Sequence, residues 1–147
     1  MTTRVYLDVC AIQRPLDSPS QIRIVLESEA VLGIITLCEA EQLEIVSSDA
    51  LIYEIEQNPL PVRKEYARAV LQAARERIRL SEAIRTRAAQ LVQSGFKSLD
   101  ALHLALAEAG QVDYFCTCDD RLLRRAKRMN LRVKVVSPLE LVQEIEK

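Results

Sequence analysis

The sequence predicts an α/β fold in which a parallel sheet is covered on both faces by helices. Three observations carry that expectation. Short segments rich in β-formers, at 4–7, 43–46, 114–117 and 133–136, alternate with longer helical stretches, the order that produces parallel strands joined by helical crossovers. The strand at 4–7 is apolar without alternation, as a strand buried on both sides is. At 147 residues with 49% hydrophobic content, the chain has the size of one domain with a real core, so 1–147 is read as a single domain.

The strand at 4–7 delivers Asp8 at its carboxyl end, the edge where open α/β sheets place ligands. Residues 13–20, with Pro15 and Pro19, form a loop ending on a helix cap at Ser20. A helix follows over 21–42, with Ile22, Val25, Leu26, Ile34, Leu37 and Cys38 facing inward and Arg23, Glu27, Glu29, Glu39 and Glu41 on the wet side. After the strand at 43–46, Ser47 or Ser48 caps a helix that carries Glu54 and stops before Asn58-Pro59. Two scaffold helices, 61–77 and 81–94, are joined by an extended link at 78–80.

The helix at 98–109 is apolar almost all round, with Ser98 as its cap and Gly110 as its stop. It carries Asp100 in its first turn and, one turn later, His103, the only histidine of the chain. Taken alone, Asp100 is a first-turn acid favoured by the helix macrodipole. His103, three positions after Asp100, either faces the site with it as a base or ligand or, the favoured reading, is a core histidine satisfied by a backbone or side-chain partner. Asp119 and Asp120 then open a helix after the strand at 114–117. Ser137 and Pro138 open the last helix by cap and N1 proline, with Leu139, Leu141, Val142 and Ile145 inside.

Composition removes several classes. Lys and Arg number 20 against 21 Asp and Glu, so the net charge does not advertise nucleic-acid binding and any such binding depends on local patches. Apolar runs fall short of the roughly 18–20 residues of a membrane span. The first residues run into a strand without a leader pattern, so the protein is expected in the cytoplasm. Cys10, Cys38, Cys116 and Cys118 contain no C-x-x-C pair and are read as buried thiols rather than zinc ligands.

Asp8, Glu54, Asp100 and Asp119 form a set. Three of the four lie at or just after a strand, and in a parallel sheet the strand ends share one edge, where scattered acids converge. Converging carboxylates repel unless a cation neutralises them. Mg²⁺ or Mn²⁺ suits oxygen ligands with positions left for water and phosphate, and the chemistry such ions support is phosphodiester hydrolysis by an activated water. The macrodipole of the helix behind Asp100 would help keep that acid ionised.

The segments Val5-Tyr6-Leu7-Asp8, 48–54 with Glu54, 98–105 with Asp100, and 115–123 with Asp119 together resemble the PIN-domain family, especially its bacterial toxin-like, VapC-type members, and the resemblance covers nearly the whole chain. It implies a three-layer α/β/α sandwich with a central parallel sheet of four to five strands, and Mg²⁺- or Mn²⁺-dependent cleavage of RNA. It implies Asp8, Glu54, Asp100 and Asp119 as the catalytic acids, with Asp8, Asp100 and Asp119 as metal ligands. Thr117 stands where the family commonly has a supporting hydroxyl, and Asp120 is either an auxiliary acid or a helix cap. Cys10 departs from the family, which often has Asn or Ser there.

Toxin-like members pair with an antitoxin and form homodimers, so both partners are expected of this chain beside its RNA substrate. Arg121, Arg124 and Arg125, with Lys127, Arg128, Arg132 and Lys134, either track the RNA backbone or are solvated helix residues. Arg14 either touches a phosphate or faces solvent. The expected function is a metal-dependent endoribonuclease, the toxin of a type II toxin-antitoxin pair. The alternative is a non-catalytic PIN-like binding or scaffold module, to which Cys10 and the near-neutral charge point. A receiver-like phosphoryl-transfer domain fits less well, because no paired acids follow the first strand and no suitably placed lysine is evident.

Overall fold

The computed structural model describes residues 2–147. Its strands are β1 (Thr3–Leu7), β2 (Leu43–Ile45), β3 (Ser47–Ser48), β4 (Arg77–Ile78), β5 (Tyr114–Cys116) and β6 (Lys134–Val136). Four of them make a parallel sheet in the order β2-β1-β5-β6, and β3 and β4 make a separate two-stranded parallel pair. Val5, Tyr6 and Leu7 point alternately to the two faces of the sheet. All three are 0% exposed, so helices cover both faces.

The helices are α1 (Val9–Ile12), α2 (Ile22–Glu39), α3 (Asp49–Glu56), α4 (Pro61–Leu71), α5 (Glu82–Gln93), α6 (Ser98–Ala109), α7 (Asp120–Lys127) and α8 (Pro138–Ile145), with a 3₁₀ turn at Arg14–Leu16. α2 and α8 pack on each other, α2 also meeting β2 and α8 meeting β5 and β6. α6 packs against α5 and α3, and its His103 ring meets Tyr6 of β1 edge-on. None of the described helices is long and apolar enough to cross a membrane.

Several local expectations change. Lys97, not Ser98, is the N-cap of α6 and makes no side-chain cap bond, because the helix begins at Ser98 itself. Gly110 closes α6 in a right-handed conformation, and the left-handed residue is Gln111 at φ 54°. A Cβ at Gly110 would lie 2.4 Å from Ile78 Cδ1, so any larger residue there requires the Ile78 side chain to shift. α2 starts after Gln21 without a side-chain cap, so Ser20 lies outside it.

α4 ends at Leu71, short of the expected 77, because the chain beyond is drawn into the β3–β4 pair. Ser47 N–H donates to the Glu76 carbonyl at 2.9 Å, and Asp49 accepts from Arg77 Nε at 2.7 Å and Leu80 N at 2.9 Å. On α2, Glu27 is 2% exposed whereas Ile22, Val25 and Leu26 are 79%, 39% and 49% exposed, the reverse of the expected faces. Leu139 of α8 is likewise exposed rather than inside.

Candidate metal centre

The chain runs from β1 out to β2 on one side, then returns to place β5 on the other side of β1. Between the carboxyl ends of β1 and β5 the connections diverge, which opens a crevice in any sheet so wound. Asp8 follows β1 and Asp119 follows β5. One pocket at this point is lined by Asp8, Glu54, Asp100 and Asp119 together with Cys10, Arg14, Leu99 and Cys118. A larger cavity lies near the opposite ends of β5 and β6, but pairs such as Lys127–Glu140 and Lys134–Glu144 already neutralise its charges.

Asp8 is the most constrained acid. Its amide continues the β1–β5 ladder to the Cys116 carbonyl at 2.9 Å. Its Oδ1 caps α1 by accepting from Val9 N at 2.9 Å, and its Oδ2 accepts from Thr117 Oγ1 at 2.8 Å. Thr117 Oγ1 also accepts from Asp119 N at 3.1 Å, so one fully buried hydroxyl ties the first and fourth acids together. The Cys10 thiol reaches Asp8 Oδ2 at 3.5 Å. Contact with Cys118, burial and the nearby Asp8 charge push that thiol well above its ordinary pKa. Cys10 is therefore a weak donor in this setting; the residue as a whole is exposed rather than buried as expected, although its thiol turns inward to Asp8 and Thr117, while the other three cysteines are buried and all four are free.

Asp119 caps α7, its Oδ1 accepting from Arg121 N at 2.9 Å and Leu122 N at 3.2 Å. Glu54 projects from α3, which Ser48 caps by accepting from Leu51 N at 3.1 Å. Asp100 sits in the first turn of α6, and among the described residues no hydrogen bond offsets its charge. Burial, then Asp8 and then Asp119 push its pKa up to about 6. Burial and Glu54 likewise raise Asp8, against the lowering influence of His103 and Thr117. Like charges crowded in a half-closed pocket thus outweigh the helix terminus behind Asp100.

Ligand atoms of Asp8, Glu54 and His103 all lie within 4.8 Å of one another. His103 is 1% exposed. Its Nε2 lies 2.8 Å from Glu54 Oε1 and its Nδ1 2.6 Å from the Tyr6 hydroxyl, which lies 2.7 Å from Ser48 Oγ. The expected core histidine with a polar partner thus lies buried behind the acid pocket, in contact with Glu54. Tyr6 was not anticipated; the signal was a phenol in a doubly buried strand, whose hydroxyl must find a partner.

Other candidates lie elsewhere. Asp120 turns away and forms a two-pronged pair with Arg23 at 2.7 and 2.8 Å. Arg14 lines the pocket, but its nitrogens bind Glu27 at 2.9 Å and Asp17 at 2.9 Å. Arg121, Arg124 and Arg125 are exposed on α7, outside the pocket lining.

The donor set suits a hard or borderline divalent cation: carboxylate oxygens, two of them with pKa values raised first by burial and then by neighbouring acids, with one buried imidazole beside Glu54. A parallel α/β sheet with such an acidic pocket at its switch point defines a class of small α/β domains with a candidate metal centre. The model of the PIN domain family matches residues 5–128, and the chain belongs to that family. Its fold is similar to that of VapBC2 from Rickettsia felis bound to a DNA fragment from their promoter, at 14% identity, covering 92% of this chain and 98% of that one, with a TM-score of 0.56. It is also similar to PAE2754 from Pyrobaculum aerophilum, at 16% identity, covering 99% and 98%, with a TM-score of 0.55. No curated protein matches the chain.

Proposed function

We propose that the protein is a Mg²⁺- or Mn²⁺-dependent endoribonuclease and acts as the toxin of a toxin-antitoxin pair. The observation that carries this reading is the single pocket in which Asp8, Glu54, Asp100 and Asp119 meet at the switch point of the sheet. Asp8, Asp100 and Asp119 would hold the cation, with Glu54 beside them. When bound, the ion supplies Lewis acidity at a phosphate oxygen and a more acidic water. Asp8 arrives pre-oriented by Val9 N and Thr117, and Thr117 couples its position to that of Asp119. Asp119 keeps Oδ2 without a donor among the described residues, available to a ligand.

The basic face of α7, with Arg121 and Arg124, adjoins Asp119 and offers an RNA backbone an approach to a pocket whose own charge would repel it. A partner role draws support from the exposed apolar strip Ile22, Val25 and Leu26 on α2 and from the likeness to VapBC2. An antitoxin and a second copy of the chain are the proposed occupants, and the cytoplasm the proposed location.

The decisive test is RNA cleavage by purified protein. Cleavage is expected with Mn²⁺, lost with EDTA, and reduced at least a hundredfold in Asp8→Asn and Asp100→Asn. An intact RNA panel in the presence of bound Mn²⁺ would instead support the non-catalytic binding module.

A further inference from the structure

We infer that His103 is a positioning residue for Glu54, acting as a neutral imidazole held in the Nε2–H tautomer by Tyr6 and Ser48. Five groups form one chain of four hydrogen bonds: Leu51 N to Ser48 Oγ at 3.1 Å, Ser48 Oγ to the Tyr6 hydroxyl at 2.7 Å, that hydroxyl to His103 Nδ1 at 2.6 Å, and His103 Nε2 to Glu54 Oε1 at 2.8 Å. The proton order follows from what each atom can do. A carboxylate only accepts, so Nε2 carries the hydrogen. In a neutral ring Nδ1 then only accepts, so the Tyr6 hydroxyl donates to it. Burial pushes the Tyr6 phenol well above its ordinary pKa, so it keeps that proton. The Tyr6 oxygen takes the Ser48 hydrogen, and Ser48 Oγ takes the Leu51 amide. Every side-chain hydrogen of Ser48, Tyr6 and His103 Nε2 thus has an acceptor in the chain.

Glu54 needs such a device more than the other acids do. Asp8 and Asp119 are fixed by backbone amides at helix starts, whereas Glu54 lies in the second turn of an eight-residue helix, with its side chain 32% exposed and free to swing into solvent. Its one partner here is the imidazole, which is itself buried against the Tyr6 ring with centroids 5.7 Å apart. With Oε1 engaged by Nε2–H, Oε2 remains for a cation beside Asp8. Outer groups that orient ligating carboxylates typically alter metal affinity 10–100-fold when removed. This consequence rests on the metal-nuclease reading, but the tautomer does not.

The single histidine makes the test direct, because ¹⁵N-histidine labelling gives one imidazole spectrum. At pH 8 without metal, the expected spectrum shows a protonated Nε2 and a pyridine-like Nδ1. A protonated Nδ1, or an averaged pair of tautomers, overturns the inference. Saturating Mg²⁺ is expected to leave the tautomer unchanged; a switch to Nδ1–H with a displaced Nε2 signal would make His103 a metal ligand and overturn it as well.

Mn²⁺ titration followed by EPR supplies the second measurement. The dissociation constant is expected to rise at least tenfold in His103→Ala and to stay within about threefold in His103→Gln, which keeps a side-chain N–H for Glu54. Equal affinity in wild type and the alanine variant overturns the positioning role. If the wild type itself binds neither ion, the metal reading fails, and the metal-free spectrum still decides the tautomer.

Discussion

Asp100 stores electrostatic cost in the metal-free protein. Its pKa lies at about 6 in the folded chain against an ordinary 3.8, so the folded state binds a proton more tightly than the unfolded state between those values. For such a raised carboxyl, stability is highest below the lower value and is lost as pH rises through about 6. Asp100→Asn is therefore expected to stabilise the metal-free protein at pH 7 by about 1 kcal/mol, after allowance for solvent screening in the open pocket. The gain should fade toward pH 4. Urea unfolding at several pH values checks this, and adding Mn²⁺ should reverse the order by stabilising only the wild type.

These acids were legible in the sequence because each sits at or near an element boundary that local patterning marks. Tyr6 and the full role of His103 were not, since their partners lie 42 to 97 residues away and only tertiary contact reveals them. The macrodipole was expected to help keep Asp100 ionised, yet burial, Asp8 and Asp119 raise its pKa to about 6. A first-turn position is a weak local influence beside desolvation and two neighbouring carboxylates.

Among the elements, α2 is the least legible. Its 18 residues span about 27 Å at 1.5 Å per residue. The longest strand beneath it has five residues and spans about 17 Å. The helix overhangs the sheet, so its amino-terminal apolar residues Ile22, Val25 and Leu26 project past the core that receives Val31, Ile34, Ile35 and Cys38. Periodicity reports an apolar face, but not how far the surface opposite it extends. In the overhang, Glu27 is buried between Arg14 at 2.8 Å and Arg23 at 3.4 Å. Arg23 reaches on to Asp120 and to the Cys118 carbonyl at 3.2 Å. Glu27→Ala leaves Arg14 without its buried partner and is expected to cost about 2–4 kcal/mol in denaturant unfolding; Arg14→Ala in the same chain should recover part of that loss.

At the scale of the whole molecule, the acids of the pocket sit at the switch point, a run of basic residues on the adjoining α7, and the exposed apolar residues Ile22, Val25 and Leu26 at the start of α2. The near-neutral total, 20 Lys and Arg against 21 Asp and Glu, conceals this local concentration of basic residues. Arg121→Ala with Arg124→Ala is expected to raise KM for RNA several-fold with little change in kcat. The salt dependence of binding should flatten by about 1.4 in log–log slope, from two lost contacts to a single strand. Ile22→Asp with Leu26→Asp should leave the melting temperature nearly unchanged while abolishing any self-association seen by light scattering.

The acid pocket draws on positions 8, 54, 100 and 119, and its first and last contributors meet only when β5 is laid beside β1. During synthesis, the chain carries its acids long before it carries a site. A fragment ending before residue 114 holds three of the four carboxylates and lacks both Thr117 and the strand that gathers them. The four-acid pocket thus has a built-in delay: it cannot close until nearly the whole of the described length has emerged and folded.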